Sequence, residues 1–97
     1  MSKRFAPDEL AKARDMPLSV AIKQLGYHHK ADLSFKPLKN SSTQRWHISK
    51  DARVIELLVT GDKWFAAKDE RGGGGAIDLA IYLANLNFVG AVKRLLK

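Results

Sequence analysis

Cysteine is absent from the sequence, which excludes disulfide bonds, thiolate zinc sites, iron–sulfur clusters and cysteine nucleophiles. The chain also lacks the run of roughly 18 apolar residues that a membrane-spanning helix needs. Its first residues are charged and form no apolar segment of the signal-peptide kind. We therefore expect a soluble, cytoplasmic protein that holds no metal, needs no other cofactor and binds no membrane.

Acidic side chains are few compared with basic ones: ten Asp and Glu stand against seventeen Lys and Arg, a net charge of +7. Residues 1–50 carry ten basic and four acidic side chains, whereas residues 51–97 carry seven and six. The densest basic stretch is 28–50. This asymmetry indicates that one region of the protein faces a polyanion, with a merely solvated basic loop as the alternative.

Length and composition fit one globular domain over residues 1–97, of which 45% are hydrophobic and 28% charged. The hydrophobic pattern predicts an α+β fold: a small antiparallel three-stranded, ribbon-like sheet, flanked by N-terminal helices and packed on two C-terminal helices. The predicted helices cover 7–14, 17–26 and 76–86, with a last helix after the N-cap residue Asn87; the predicted strands cover 45–49, 54–60 and 63–67. Segments 28–44 and 68–75 are predicted loops, and residues 1–15 or so form an N-terminal helical extension.

Four consecutive glycines, Gly72–Gly75, separate the last predicted strand from the next helix. Glycines at a helix N-terminus expose backbone N–H groups that bind anions, so a phosphate-binding loop beside Arg71 is one interpretation. Neither Gly-Lys-Ser/Thr nor Gly-x-Gly-x-x-Gly occurs there, however. The favoured interpretation is a tight connection that needs positive φ angles and a close approach of the backbone.

The histidines and acidic residues form no pattern typical of a metal or catalytic site. His28 and His29 are neighbours in a predicted loop and His47 lies on a predicted strand, so metal-ligand spacing is missing. The acidic residues of the second half form no Asp-x-Asp pattern of the kind that holds magnesium. We therefore predict that the chain is not an enzyme.

Alternation along the predicted strands divides their side chains between two faces. The face expected to meet the helices holds Trp46, Ile48, Trp64 and Ala66, and the other face holds Arg45, His47, Ser49, Lys63 and Phe65. Cations around an aromatic ring suit single-stranded nucleic acid, because rings stack on bases and cations bind phosphates. The alternative is that these aromatic rings belong to the core, which we expect for both tryptophans and leave open for Phe65.

Two segments of the C-terminal part share a recognisable pattern: residues 73–79 read Gly-Gly-Gly-Ala-Ile-Asp-Leu, and residues 87–96 read Asn-Phe-Val-Gly-Ala-Val-Lys-Arg-Leu-Leu. They resemble the Gly-Gly-x-x-Ile-x-Phe helix and the Ser-Phe-x-x-Ala-Val-x-x-Leu helix at the end of the zinc-binding domain of bacterial DNA primases. A helix that ends in Leu-Gly-Tyr and the Trp64-Phe65 pair extend the resemblance to about residues 16–97. The family's zinc-binding Cys-x-x-His and Cys-x-x-Cys pairs fall near Arg45–Ser49 and Ala66–Glu70, where this chain has no cysteine.

The resemblance is therefore to cysteine-free, zinc-less relatives of this primase zinc-ribbon domain, as found in plasmid and integrative-element replication or mobilisation proteins with Toprim-like domains. It implies a module that contacts single-stranded DNA and assists replication, priming or transfer of a mobile genetic element, together with a primase/Toprim, helicase or relaxase protein. The residues expected to contact phosphates are Lys30, Lys36, Lys39, Arg45, Lys50, Lys63 and Arg71, and those expected to contact bases are His47 and Phe65. The alternative is a protein-interaction module that docks a polymerase, helicase or relaxase.

Without a zinc site, the folding free energy that a structural metal supplies has to come from packing. We expect that EDTA leaves the melting temperature of the protein unchanged in a thermal scan followed by circular dichroism. A fall of several degrees on chelation would contradict the zinc-less interpretation.

Overall fold

Four helices and five strands make up the described parts of the chain, residues 5–36 and 42–97 of a computed structural model. The helices are α1 (Pro7–Arg14), α2 (Leu18–Gln24), α3 (Gly75–Ala84) and α4 (Phe88–Leu96). The strands are β1 (His28–Ala31), β2 (Gln44–Lys50), β3 (Arg53–Thr60), β4 (Lys63–Ala66) and β5 (Arg71–Gly74), with a 3₁₀ turn at Ala67–Asp69. The predicted α+β class is confirmed.

The sheet is a five-stranded antiparallel meander in the order β1-β2-β3-β4-β5, so the prediction of three strands was too narrow. The two additional strands lie in segments that were predicted to be loops. β1 reads His-His-Lys-Ala and β5 reads Arg-Gly-Gly-Gly, so neither shows the apolar alternation or β-branched residues that indicate a strand. Both are edge strands, and their pairing with β2 and β4 determines their conformation instead.

One face of the sheet and the helices enclose the core. Fully buried large side chains come from both layers: Ile48 and Leu57 from the sheet, and Ile22, Leu25, Leu79, Leu83, Val92 and Leu95 from the helical side. Polar contacts fix the helices to one another. The Tyr27 hydroxyl donates to the Leu83 carbonyl at 2.9 Å, and Gln24 Nε2 donates to the Leu95 carbonyl at 3.1 Å.

The ends of the C-terminal helices follow from two asparagines. Asn85 adopts the left-handed conformation, with φ 53°, and ends α3 at Ala84, two residues before the predicted end. Asn87 is confirmed as the N-cap of α4, because its Oδ1 accepts a hydrogen bond from the Gly90 N–H at 2.8 Å. The two asparagines together turn the chain sharply between the helices.

The glycine run lets β5 pass close to two aromatic rings of β4. A Cβ atom on Gly73 would lie 2.8 Å from Cζ2 of Trp64, and one on Gly72 would lie 3.1 Å from Cδ1 of Phe65. The two rings lie on opposite faces of the sheet, since Trp64 is buried and Phe65 is exposed. Gly75, with φ +83°, begins α3. The glycines therefore have the features of a tight connection: close approach of the backbone and positive φ.

By length and apolarity, no single helix in residues 5–36 and 42–97 meets the requirements for a membrane span. α3 and α4 meet them only as a pair, and the pair is bent by 106° at the break between the helices.

Substituting the second glycine of the run should destabilise the fold strongly. Gly73→Ala places a methyl group against the buried Trp64 ring, and overpacking of this kind costs about 1–3 kcal/mol of the free energy of unfolding. Gly74 is the matched control, because its φ is −134° and no atom lies within 4 Å of its added Cβ. Urea unfolding should show a clear loss for Gly73→Ala and a change within about 0.5 kcal/mol for Gly74→Ala. Equal stability of the two variants would contradict this packing.

Candidate nucleic-acid interface

The side chains that alternate with the core residues form the second surface of the sheet, which we call the open face. Its members on β1 to β4 are His28, Lys30, Arg45, His47, Ser49, Val54, Glu56, Leu58, Thr60, Lys63 and Phe65. All of them are exposed or half-buried, whereas Ile48, Leu57 and Trp64 between them are buried. Phe65 is 42% exposed. The sequence-based division of side chains between the two faces is thus confirmed, and Phe65 belongs to the surface.

Strand register arranges the open face in rows that cross the sheet. The central row consists of Arg45, Leu58, Phe65 and Gly72; Lys30, His47 and Glu56 form the row on one side, and Thr60 and Lys63 form the row on the other. Since neighbouring strands are about 4.8 Å apart, the central row spans about 14 Å. This row therefore carries the Phe65 ring, the aliphatic Leu58 side chain and the Arg45 guanidinium group in succession.

Arg45 and His47 are held by a carboxylate from the segment that follows β1. Asp32 Oδ2 accepts hydrogen bonds from Arg45 Nη2 at 2.6 Å and Nε at 3.0 Å, and it lies 3.3 Å from His47 Nε2. The Ser34 hydroxyl and backbone N–H donate to the other oxygen, Oδ1. Hydrogen bonds from Ser34, followed by those from Arg45 and His47, hold the pKa of Asp32 well below its usual range. We call Asp32, Ser34, Arg45 and His47 the Asp32 cluster.

Two phenylalanines contribute rings along the central row: Phe35 lies beyond Arg45 at one end, and Phe65 lies within the row. The guanidinium carbon of Arg45 lies 5.1 Å from the centroid of the Phe35 ring, a cation–π distance. Phe65 lies directly across from Leu58 on β3 and from Gly72 on β5. The absence of a side chain at Gly72 leaves room for the Phe65 ring against the strand. The row therefore presents ring and guanidinium planes of the kind on which nucleobases stack.

Two of the predicted phosphate-contacting residues, Lys50 and Arg71, do not join the open face. Lys50 follows Ser49 on β2 and Arg71 precedes Gly72 on β5, so both side chains belong to the opposite face of the sheet. Each lies over a tyrosine ring there. Lys50 Nζ is 5.2 Å from the Tyr27 ring, and Arg71 Cζ is 5.4 Å from the Tyr82 ring. Burial, together with a hydrogen bond to Asp69, raises the pKa of Tyr82 to about 12. Both cations therefore line the rim of the helical side.

The structure brings together five of the nine predicted residues: Lys30, Arg45, His47, Lys63 and Phe65. Lys36 is exposed in the segment after β1, which also holds Asp32, Ser34 and Phe35. Lys39 lies outside the described residues. Lys30 and Lys63 are exposed, and neither forms an ion pair with a described acidic residue. They are therefore better placed than Arg45 to meet an added anion.

Several contributors to this surface carried no signal in the sequence. Asp32 and Phe35 lie in a segment without periodicity, and only the pairing of β1 with β2 brings them against Arg45. Thr43 and Thr60 are 17 positions apart, yet their Oγ1 atoms are 2.7 Å apart. Long-range register of this kind has no local sequence pattern. In residues 5–36 and 42–97, no group of three or more His, Asp or Glu side chains is placed to hold a metal ion.

Comparison with known proteins identifies no family for this chain. No family model matches the chain, and neither a curated protein nor a solved structure matches it. The similarity to the primase zinc-ribbon domain therefore stays a prediction that rests on residues 16–97, above all on residues 73–96.

Stability should depend on pH through the Asp32 cluster. Folding lowers the pKa of Asp32, so its ionised carboxylate adds to the free energy of unfolding. This contribution is fully present above the pKa of the unfolded chain, about 4, and is lost as pH falls through the lower pKa of the folded protein. Asp32→Asn should destabilise the protein at pH 7, and the difference from wild type should shrink steadily below about pH 4. Urea unfolding at several pH values measures this, with Asp62→Asn in an exposed turn as the control. A difference that stays constant down to pH 2 would contradict the ionic role of Asp32.

Proposed function

We propose that the chain is a nucleic-acid-binding module that binds single-stranded DNA through the open face of its sheet. The observation that carries the proposal is the position of Phe65 in one row with Leu58 and Arg45, flanked by Lys30 and Lys63 in the neighbouring rows. Aromatic rings stack on bases of any sequence, and lysines bind the phosphates between them. A net charge of +7 adds a long-range attraction for polyanions.

Single strands are favoured over a duplex because the central row exposes an aromatic ring, Phe65, in line with the Arg45 guanidinium group. In a duplex the base faces are stacked on one another and only their edges are accessible in the grooves. An unpaired strand presents those faces to an exposed ring such as Phe65. The open face combines stacking groups with cations, which is the composition that single-strand binding requires.

The cellular role that we propose follows from the primase resemblance. In this role the module assists replication, priming or transfer of a mobile genetic element, and a separate primase/Toprim, helicase or relaxase protein carries out catalysis. The module itself is not an enzyme in this proposal. Its contribution is to hold the unpaired template strand near that partner.

Docking of a polymerase, helicase or relaxase protein is the second candidate function, and two observations favour it. Arg45 already has a carboxylate partner at 2.6 Å, which reduces its availability for phosphate. The open face also exposes apolar surface, since Val54 is 59% exposed and Phe65 is 42% exposed. A protein partner would cover this surface and would not require Lys30 and Lys63.

A salt titration with paired charge variants tests the proposal and separates the two candidates. Affinity of the wild-type protein for a fluorescent oligothymidylate should fall steeply with salt, because phosphate binding releases counterions. Lys30→Ala/Lys63→Ala should weaken binding at low salt and reduce the log–log salt slope by about 0.7 for each phosphate that the variant no longer neutralises. Lys23→Ala/Lys93→Ala, on exposed positions of α2 and α4, removes the same charge from the helical side.

Fluorescence anisotropy measures all three proteins under identical conditions. Binding that weakens only in the Lys30/Lys63 variant supports the open face as the DNA site. Equal weakening in both double variants indicates non-specific attraction to net charge and contradicts a defined site. Absence of binding by the wild-type protein at low salt would overturn the proposal and leave protein docking as the better candidate.

A further inference from the structure

A depression of about 300 Å³ lies on the open face at the end of the β3–β4 hairpin. It is lined by Thr43, Leu58, Thr60, Lys63, Trp64 and Phe65. Its volume is at the lower limit for small-molecule pockets, so it suits one planar ring rather than a larger ligand. Larger hollows are present elsewhere, about 440 Å³ between the α1–α2 connection and Trp46 and about 560 Å³ beside Tyr27 and Lys50, but neither is lined by residues of the open face.

The apolar part of the depression consists of Leu58 and Phe65, which face each other across β3 and β4. On its other side the Phe65 ring packs against β5 at Gly72. The ring is so close that a Cβ atom added to Gly72 would lie 3.1 Å from Cδ1 of Phe65. A supported ring loses little conformational freedom when a ligand stacks on it, and this favours binding. The ring is accessible at the same time, at 42% exposure.

The polar part of the depression is a pair of hydroxyl groups. Thr43 Oγ1 and Thr60 Oγ1 are 2.7 Å apart, so one hydroxyl donates its proton to the other. The accepting hydroxyl keeps its own O–H as a donor, and both oxygens keep lone pairs. The pair thus offers a donor and an acceptor side by side. The edge of a nucleobase presents the same combination of groups, in complementary order.

Lys63 supplies the charge at the same place. It lies directly across from Thr60 in the strand register and is exposed. The described acidic residues form no ion pair with it. A nucleotide whose base enters the depression would have its phosphate within reach of the flexible lysine side chain, which binds phosphate as a mobile point charge.

We propose that this depression is a subsite for a single unstacked nucleobase of the bound strand. Phe65 stacks on the base, the Thr43–Thr60 hydroxyl pair hydrogen-bonds to its edge, and Lys63 binds the adjoining phosphate. The proposal rests on the proposed function and deepens it, because it distinguishes a site that holds a base from a sheet that only attracts the phosphate backbone.

Two probes with the same number of phosphates separate these possibilities. One is a fluorescent oligothymidylate, and the other is an oligonucleotide of equal length in which every base is replaced by an abasic tetrahydrofuran residue. We expect the wild-type protein to bind the thymidylate roughly tenfold or more tightly, in line with the loss of base stacking. Phe65→Leu should lose most of that preference and keep its affinity for the abasic probe.

Control variants make the result specific. Phe88→Leu changes a phenylalanine of similar exposure, 48%, at the start of α4 and should retain the full preference. Thr60→Val keeps the shape of the side chain and removes one hydroxyl, so it should weaken thymidylate binding several-fold without affecting the abasic probe. Circular dichroism checks that each variant is folded.

The outcomes distinguish failure of the base subsite from failure of the proposed function. Equal affinity of the wild-type protein for both probes would overturn the base subsite and leave the single-strand function in place. If Phe65→Leu lowered the affinity for both probes equally, the subsite would also be overturned, because the ring would then have only a structural role. Failure of both probes to bind would overturn the proposed function and the subsite with it.

Discussion

The close approach of β5 to β4 is the constraint on which the rest of the structure depends. Gly72 and Gly73 allow the two strands to pair while Phe65 and Trp64 extend to opposite faces of the sheet. Trp64 lies in the core and contacts Tyr82 of α3 at a ring distance of 5.2 Å. Phe65 lies on the open face. One pair of glycines thus connects the packing of the helices to the surface that we propose as the binding site.

The opposite edge of the sheet depends on electrostatics more than on packing. β1 has few apolar side chains, and its continuation is fixed to β2 through the Asp32 cluster and the backbone N–H of Asp32, which donates to the Arg45 carbonyl at 2.7 Å. The same contacts hold Arg45 against Phe35. A side-chain network of this kind orients a guanidinium plane for stacking and reduces its free charge. In the proposed function, phosphate binding therefore falls mainly to the exposed lysines.

Local patterns predicted the elements that are amphipathic or capped. The apolar stripe of α2, the alternation of β2 to β4 and the N-cap Asn87 all have strong local signals, and the structure contains each of them. The face that carries Arg45, His47, Lys63 and Phe65 could be predicted for the same reason, because side chains alternate with period two. β1 and β5 could not, since pairing with a neighbour rather than intrinsic preference makes them strands. Asp32, Phe35 and the Thr43–Thr60 pair depend on that register as well.

Chemical-shift mapping on ¹⁵N-labelled protein tests most directly whether the open face is the functional surface. Titration with an oligothymidylate should shift the amide resonances of Arg45, Leu58, Lys63 and Phe65, with much smaller changes in α1, α2 and α4. Shifts confined to the helical side, or absent at a saturating concentration of the oligonucleotide, would contradict the assignment of this face.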